Sequence, residues 1–497
     1  MERPGPWDDD SGVGPASCSD PRHADLELRL AEFERRLAAR DAEDARREDE
    51  NAKLRTRVAE LEARSKRNSR NSSRPPSSDS PYQDRPSRGK PSGRNPGGQP
   101  GHEGKTRPTV PPEDVSEFVV HGVDDCPACG GSDLEQTATV AHQVTEIPPV
   151  APIVVEHQVA HVRCRDCGEE SVGTLPADVA RSQFGPRVHA FAAQLSGGFR
   201  LTHREVGRVF EEMFGLHIGG GTLTAMQRRV TDALEFPYRE AQRALREGPA
   251  AYIDETGWRV GRRKATLWTA FFGRLVVFLV DSLRDRGASR RLFAGKFHGV
   301  RIVDRYVVHD HVKDELRQIC AAHVWRDFEG FATGAAGGRM FGRRGKAIVL
   351  RLFRAWWRFR DGKIDRAGLR AACAKLERRL CELLDEAMTG KHARVRGFAK
   401  KLRKQAACLF TFAKVEGIEP TNNWAERMLR AAVLWRKGSF GSHSKQGARF
   451  VSRFMTAARS LRMQGRDVID FVMQALEAHA LGRAPPSLVP ALVGSAE

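Results

Sequence analysis

Metal-assisted phosphodiester chemistry needs carboxylates. Mg2+ is a hard cation that takes oxygen ligands, and two ions roughly 3.5–4 Å apart can activate a water or a 3′-hydroxyl while stabilising the leaving oxygen. Three acids in this 497-residue chain stand where such a site could form. Asp254 closes the apolar run Ala250–Ile253, and Asp304 closes Val300–Val303. The third candidate is Glu426, in Pro420-Thr421-Asn422-Asn423-Trp424-Ala425-Glu426-Arg427-Met428-Leu429-Arg430. Thr421 or Asn422 can cap a helix there. Glu426 then falls on its first turn, with Arg427 and Arg430 nearby to meet phosphate. Several neighbours compete. Glu255 adjoins Asp254, and strand neighbours point to opposite faces, so only one of the two can face the site. Asp310 and Asp314 lie past the strand end, and Glu416 and Glu419 precede the helix. His323 either touches the scissile phosphate as an auxiliary group or hydrogen-bonds inside the fold.

A second chemistry is written in cysteine. Cys126-Pro127-Ala128-Cys129-Gly130 and Cys164-Arg165-Asp166-Cys167-Gly168 are two CxxC pairs, each followed by a glycine that lets backbone amides approach the thiolates. Together they supply four sulfurs for a tetrahedral Zn2+ with no open position, hence a structural ion. A redox CxxC is the competitor, and two pairs each followed by Gly fit metal better. Residues Val140 to Val162 alternate like hairpin material, so the expectation is a zinc ribbon held by Cys126, Cys129, Cys164 and Cys167. Nine cysteines is an odd number, and the pattern argues for metal binding in a reducing compartment rather than for disulfides.

The elements that must position the acids can be read from periodicity. Strand patterns at Ala250–Asp254, Thr266–Phe272 and Leu275–Val280 follow at hairpin spacing, then a helix from Ser289 to Phe297, a strand Val300–Val303, and a fifth strand around Ile319–Val324. This is the strand order of a ribonuclease-H-like fold, in which the first and fourth strands lie side by side and bring Asp254 to Asp304. The long interval before Glu426 reads as a helical insertion. It carries Arg343-Arg344-Gly345-Lys346, Arg351, Arg354, Trp356-Trp357-Arg358 and Arg360. Arg beside Trp could bind phosphates and stack on unpaired bases, although Trp356 or Trp357 can equally belong to the insertion's own core.

Upstream, Leu26, Leu30, Phe33 and Leu37 set a heptad register that passes through polar slots at Arg40, Asp44, Arg47 and Asn51 and recovers at Leu54, Val58 and Leu61. This predicts a coiled coil with a weak centre, and self-association. Residues 66–112 are rich in Arg, Lys, Ser, Asn, Gly and Pro and predict a flexible basic arm. Two amphipathic stretches, a glycine turn from Gly215 to Gly221, and Thr222–Val230 carrying Arg228 and Arg229 predict a helix-turn-helix whose last helix would enter the major groove.

The 82 basic and 63 acidic side chains leave a net charge of +19, which points to a polyanionic partner such as nucleic acid. The apolar run Leu275–Val280 is far too short for a bilayer, and the start of the chain lacks a signal-peptide core, so a cytoplasmic protein without a membrane is expected.

Asp254-Glu255-Thr256-Gly257-Trp258, Asp304-Arg305-Tyr306, Ala322-His323 with Arg326, and Asn422-Asn423-Trp424-Ala425-Glu426-Arg427 with Trp435-Arg436-Lys437 together resemble the insertion sequence 66 family of bacterial transposases. The leucine-rich coil, the Asn-Ser-Ser-Arg-Pro-Pro-Ser arm, Gly-Gly-Gln-Pro-Gly-His, the paired CxxC and the helix-turn-helix match as well, so the likeness covers nearly the whole chain. One departure is Arg305, where many members have Gly. The resemblance implies a DDE transposase with Asp254, Asp304 and Glu426 as its acidic triad and magnesium (or manganese) ligands. Arg228, Arg229, Arg427, Arg430, Arg436 and Lys437 become the expected DNA contacts. The implied partners are the element's terminal inverted repeats, target DNA, further copies of the chain in a homodimer or higher oligomer, and accessory proteins encoded by the same element. When bound to DNA the protein would associate with the nucleoid.

The expected organisation is multidomain α/β: disorder over 1–22, coiled coil over 23–65, arm over 66–112, ribbon over 113–178 and helix-turn-helix over 179–245. The catalytic core spans 246–330 and 411–470 around a helical insertion at 331–410, and 471–497 form a terminal helix and tail. Two rival functions share parts of this reading. One is a nuclease or resolvase without strand transfer, and the other a non-catalytic DNA-binding regulator that would not need the acids.

Overall fold

The computed structural model describes residues 21–65, 68, 71, 79, 101–104, 107–176, 179, 182–334 and 336–490. Most of the expected basic arm, residues 1–20 of the expected disordered segment, and the tail from 491 lie outside these. The protein is mixed α/β. It divides into two compact units, one from Met1–Asp79 with Gln318–Thr421 and the other from Ser80–Arg317 with Asn422–Glu497.

The first element, α1 (Pro21–Ser65), is a single helix of 45 residues that carries the whole heptad series. Its Leu26, Leu30, Phe33, Leu37, Leu54, Val58 and Leu61 are 49–64% exposed. Pairs four residues apart, Arg36–Glu32, Arg47–Glu43 and Lys53–Asp49, lace its polar faces.

In the second unit, the expected hairpin over 140–162 does not form. Instead β1 (His161–Arg163) pairs antiparallel with β2 (Glu170–Val172) across the second CxxC. Val140, Val144, Ile147 and Val154 stay exposed, so the alternation upstream has no buried face to gain from strand pairing. Then come α2 (Pro186–Ala193), which runs into a π-helical turn at Gln194–Gly198, α3 (His203–Phe214) and α4 (Gly220–Ala233). Thr202 and Glu205 form a reciprocal capping box at the start of α3. Ala192, Leu195, Val206, Phe210, Ile218, Leu223 and Met226 make a core of their own. The helix α5 (Glu235–Glu247) leads into the sheet.

The sheet order is β5 (Leu275–Asp281), β4 (Arg263–Phe272), β3 (Ala250–Val260), β6 (Val300–Val303) and β7 (Arg317–Ile319). The strand β3 does not stop at Asp254 as expected. It continues to Val260 because every residue from Glu255 onward finds a partner on β4. The helix expected over Ser289–Phe297 is shorter, α6 (Gly287–Leu292), since Ala294 and Gly295 take positive φ and end it. The expected fifth strand is also displaced. Its strand is β7, and Ala321 already opens a helix, α7 (Ala321–Ala332), whose buried Ala321, Val324, Phe328 and Phe331 repeat at helical spacing.

In the first unit α7 packs with α8 (Arg339–Arg360), α9 (Arg366–Thr389), α10 (Ala393–Arg403) and the short α11 (Thr411–Lys414). The rings of Phe328, Phe331, Phe341 and Phe398 meet at centroid distances of 5.1–6.0 Å. A side chain on Gly345 would enter the Phe328 ring, so the glycine sets how closely α7 and α8 approach. Trp356 packs edge-on against Phe412, whereas Trp357 is exposed.

The second unit is completed by α12 (Asn423–Ser439), α13 (Lys445–Gln464) and α14 (Val468–Ala480). The outer edge of β5 is closed by a hydroxyl stripe on α13. Ser460, Thr456 and Ser452 accept hydrogen bonds from the amides of Val276, Phe278 and Val280 at 3.1, 2.9 and 3.0 Å. These amides would otherwise be an unpaired strand edge. Replacing Thr456 by valine keeps the shape but orphans the buried Phe278 amide. We expect a loss of about 1–3 kcal/mol, read from chemical denaturation midpoints, and an unchanged midpoint would show that the stripe is incidental.

Candidate active site

The strand β3 pairs parallel with β6 in the register Ala250–Val300, Ala251–Arg301 and Tyr252–Ile302. Continuing that register sets Asp254 level with Asp304, one residue beyond β6. Asp254 Oδ1 accepts from the Glu255 amide at 2.8 Å, and Asp304 Oδ1 accepts from the Tyr306 amide at 2.9 Å. Both carboxylates are thus oriented by local backbone donors.

The helix α12 brings Glu426. Asn422 sits at its N-terminus, but its side chain does not cap the helix. It donates from Nδ2 to the Ile253 carbonyl at 2.8 Å, binding the helix start to the residue before Asp254. Trp424 stacks on Phe271 of β4 at 5.4 Å. The first turn of α12 therefore lies against the sheet beside Asp254.

Burial raises the Asp254 carboxyl well above the ordinary carboxylate range, and the charges of Glu255, Asp304 and Glu426 push it further. Glu255, only 4% exposed at its side chain, is raised to about 7 by burial and by Asp304. Arg284 opposes that rise through a 2.6 Å bond from Nη2 to Glu255 Oε1. The same guanidinium lies 4.1 Å from the centre of the Tyr306 ring. Three carboxylates therefore bear on Asp254, Glu255 among them. Among the described residues, no three His, Cys, Asp or Glu side chains are closed into a metal-holding group. The donor chemistry still fits a hard divalent cation: all donors are carboxylate oxygens, and their mutual repulsion is what such an ion neutralises.

The other sequence candidates fall elsewhere. Asp310 and Asp314 pair with Arg317 at 2.8 and 3.1 Å. His323 stands on the first turn of α7, and Glu416 and Glu419 follow α11, all three in the first unit. Arg228 and Arg229 are exposed on α4, with Arg229 3.1 Å from His189. Arg427 is exposed over the Trp424 ring, and Arg430 is exposed one turn on. Arg436 donates to Thr256 Oγ1 and the Gly257 carbonyl at 2.9 and 3.0 Å. With Lys437 it lines a cleft of about 670 Å³ whose other cations, Arg259, Lys264 and Arg284, the sequence reading did not single out. Nothing local marks Arg284, whose place beside Glu255 comes from the turn after β5.

The CxxC pairs are built as two similar knuckles. Gly130 N donates to the Cys126 carbonyl and Gly168 N to that of Cys164, and both glycines have positive φ. Amides of Ala128 and Cys129 hold the Cys126 thiol below its usual pKa, and those of Cys167 and Asp166 do the same for Cys164. Amides aimed at sulfur suit a thiolate ligand. Among the described residues the four cysteines are not closed into one metal-holding group.

Compared with known families, residues 181–450, more than half of the chain, match the transposase IS66 family. The chain belongs to the IS66 family of transposases. Residues 124–168 of this transposase match the family's zinc-finger binding domain, which includes all four cysteines, and residues 18–108 match a family of unknown function, DUF6444. A comparison with curated proteins returns no match. No helix among the described residues is long and apolar enough to cross a membrane.

The raised carboxyls make a pH prediction for the metal-free protein. Glu255 ionises near 4.5 when unfolded and about 7 when folded, so between these values the unfolded state releases the proton first and stability falls as pH rises. Thermal unfolding in chelator should show a steeper loss from pH 4.5 to 7 for the native chain than for Glu255→Gln. Parallel curves would remove Glu255 from the coupled cluster.

Proposed function

We propose that this IS66 transposase is a DDE enzyme with a ribonuclease-H-like core, acting on the terminal repeats of its element by metal-dependent cleavage and strand transfer. The observation that carries this reading is the convergence of Asp254, Asp304 and Glu426 from β3, the end of β6 and the first turn of α12. These three would hold Mg2+ or Mn2+. A bound divalent ion would activate the attacking hydroxyl and steady the leaving oxygen. The chain's own part is to orient those carboxylates through the Glu255 and Tyr306 amides, and to offer Arg427, Arg430 and Lys437 to the phosphates beside them. His323 is kept as an auxiliary candidate.

Upstream, α3 and α4 joined by a glycine turn support a helix-turn-helix, with Arg228 and Arg229 presented on its second helix. The exposed heptad stripe of α1 supports a coiled coil that pairs two copies, as joining two DNA ends requires. Both readings, and a cytoplasmic, nucleoid-associated location, accompany the proposed activity.

Because the acids act as one unit, Asp254→Asn, Asp304→Asn or Glu426→Gln should each lower cleavage of a labelled element end by at least about a thousandfold, with DNA affinity nearly unchanged. A variant that still cleaves would remove its residue from the triad. Cleavage without joining to target DNA would favour a nuclease. For the ribbon, elemental analysis should find one zinc per chain, lost in Cys126→Ser, because a structural site couples metal to local folding. Zinc-free native protein would end that part of the proposal.

A further inference from the structure

Three helices of the second unit end in the left-handed conformation. After α3 and α13 the residue there is glycine, Gly215 (φ 64) and Gly465 (φ 71), which takes that conformation freely. After α12 it is Phe440, at φ 60. A phenylalanine there strains the backbone. The ring gains no burial in return, being 76% exposed. Strain kept without folding benefit points toward function.

The backbone that carries the ring is also held in place. Gly441 has no room for a side chain, since a Cβ would lie 2.4 Å from the Arg259 carbonyl oxygen. Ser442 N donates to that carbonyl at 2.9 Å, Gly261 N donates to the Ser442 carbonyl at 2.7 Å, and Trp258 Nε1 donates to Ser442 Oγ at 3.1 Å. The turn bearing Phe440 is thereby fastened to the tip of the β3–β4 hairpin. Phe440 lines the same cleft as Arg259, Lys264, Arg284, Arg436 and Lys437. Through Arg284, bonded to Glu255, that cleft adjoins the acid cluster.

An exposed aromatic ring on a fastened turn among five cations matches a nucleic-acid strand: cations meet phosphates and the ring meets a base. Inside a duplex both faces of every base are already stacked, whereas an unpaired base leaves its faces open to the ring. We infer that Phe440 is a stacking post for an unpaired nucleobase of DNA whose backbone runs through this cleft. The inference rests on the DNA-processing function proposed above.

The test compares a blunt DNA duplex with the same duplex bearing a single-stranded 3′ overhang that contains 2-aminopurine. The native chain should bind the overhang form tighter by about fivefold or more and quench the 2-aminopurine. Phe440→Gly removes the ring and relaxes the backbone, so its thermal midpoint should not fall, while the ratio of the two dissociation constants drops toward one and the quenching is lost. Phe440→Trp should keep both. A Phe440→Gly protein that retains ratio and quenching overturns the inference alone, because the acid-variant cleavage assay stands apart from it. A native chain that binds neither DNA overturns the inference and the DNA-processing reading together.

Discussion

Carboxylates gathered under cover repel one another, and a pair of like charges about 4 Å apart costs about 4 kcal/mol at an effective dielectric near 20. Everything around the acids can be understood as the means of holding that arrangement. Asp254 and Asp304 are kept level by parallel pairing of β3 with β6, a contact that cannot relax without breaking ladder hydrogen bonds. Glu426 is held by a side-chain bond from Asn422 to the Ile253 carbonyl and by the stacking of Trp424 on Phe271. These ties are uncharged, so they persist whatever the protonation of the acids. The result is a site in which Asp254 and Glu255 hold their protons to higher pH than ordinary carboxyls do.

The basic side chains are arranged differently from the acids. Arg284 is bonded within the cluster, where it restrains Glu255. Arg436 is tied to β3 two residues further on, and Arg259, Lys264 and Lys437 line the adjoining cleft. Under the proposed function this division would leave the cations of the cleft for phosphate and the acids for metal. The hydroxyl stripe of α13 supports the same geometry from the far edge by closing β5.

The knuckles of the zinc-finger segment follow another logic. Each is a local turn, complete with its positive-φ glycine and thiol-directed amides, and needs nothing distant to form. In the proposed zinc ribbon a shared ion would join the two turns, so the segment would depend on metal where the acid site depends on the sheet.

The sequence by itself carried whatever is set by local chemistry or by period. The CxxC-Gly turns, the heptad series of α1, the placing of Glu426 on the first turn of a helix, and the succession of strands before Asp304 were all legible, because spacing alone determines which side chains share a face. Tertiary structure decided what depends on partners. The strand β3 extends past Asp254 because β4 is opposite. His323 lies on a helix because Ala321, Val324 and Phe328 are buried at helical intervals. The Asn422 side chain does not cap its helix because a strand carbonyl is within reach. The position of Glu255 beside Asp304, Arg284 against both Glu255 and Tyr306, and Phe440 strained at the mouth of the cleft have no local signature. Each arises where segments far apart in the chain meet, and pattern within a short window cannot encode which distant residue will be the neighbour.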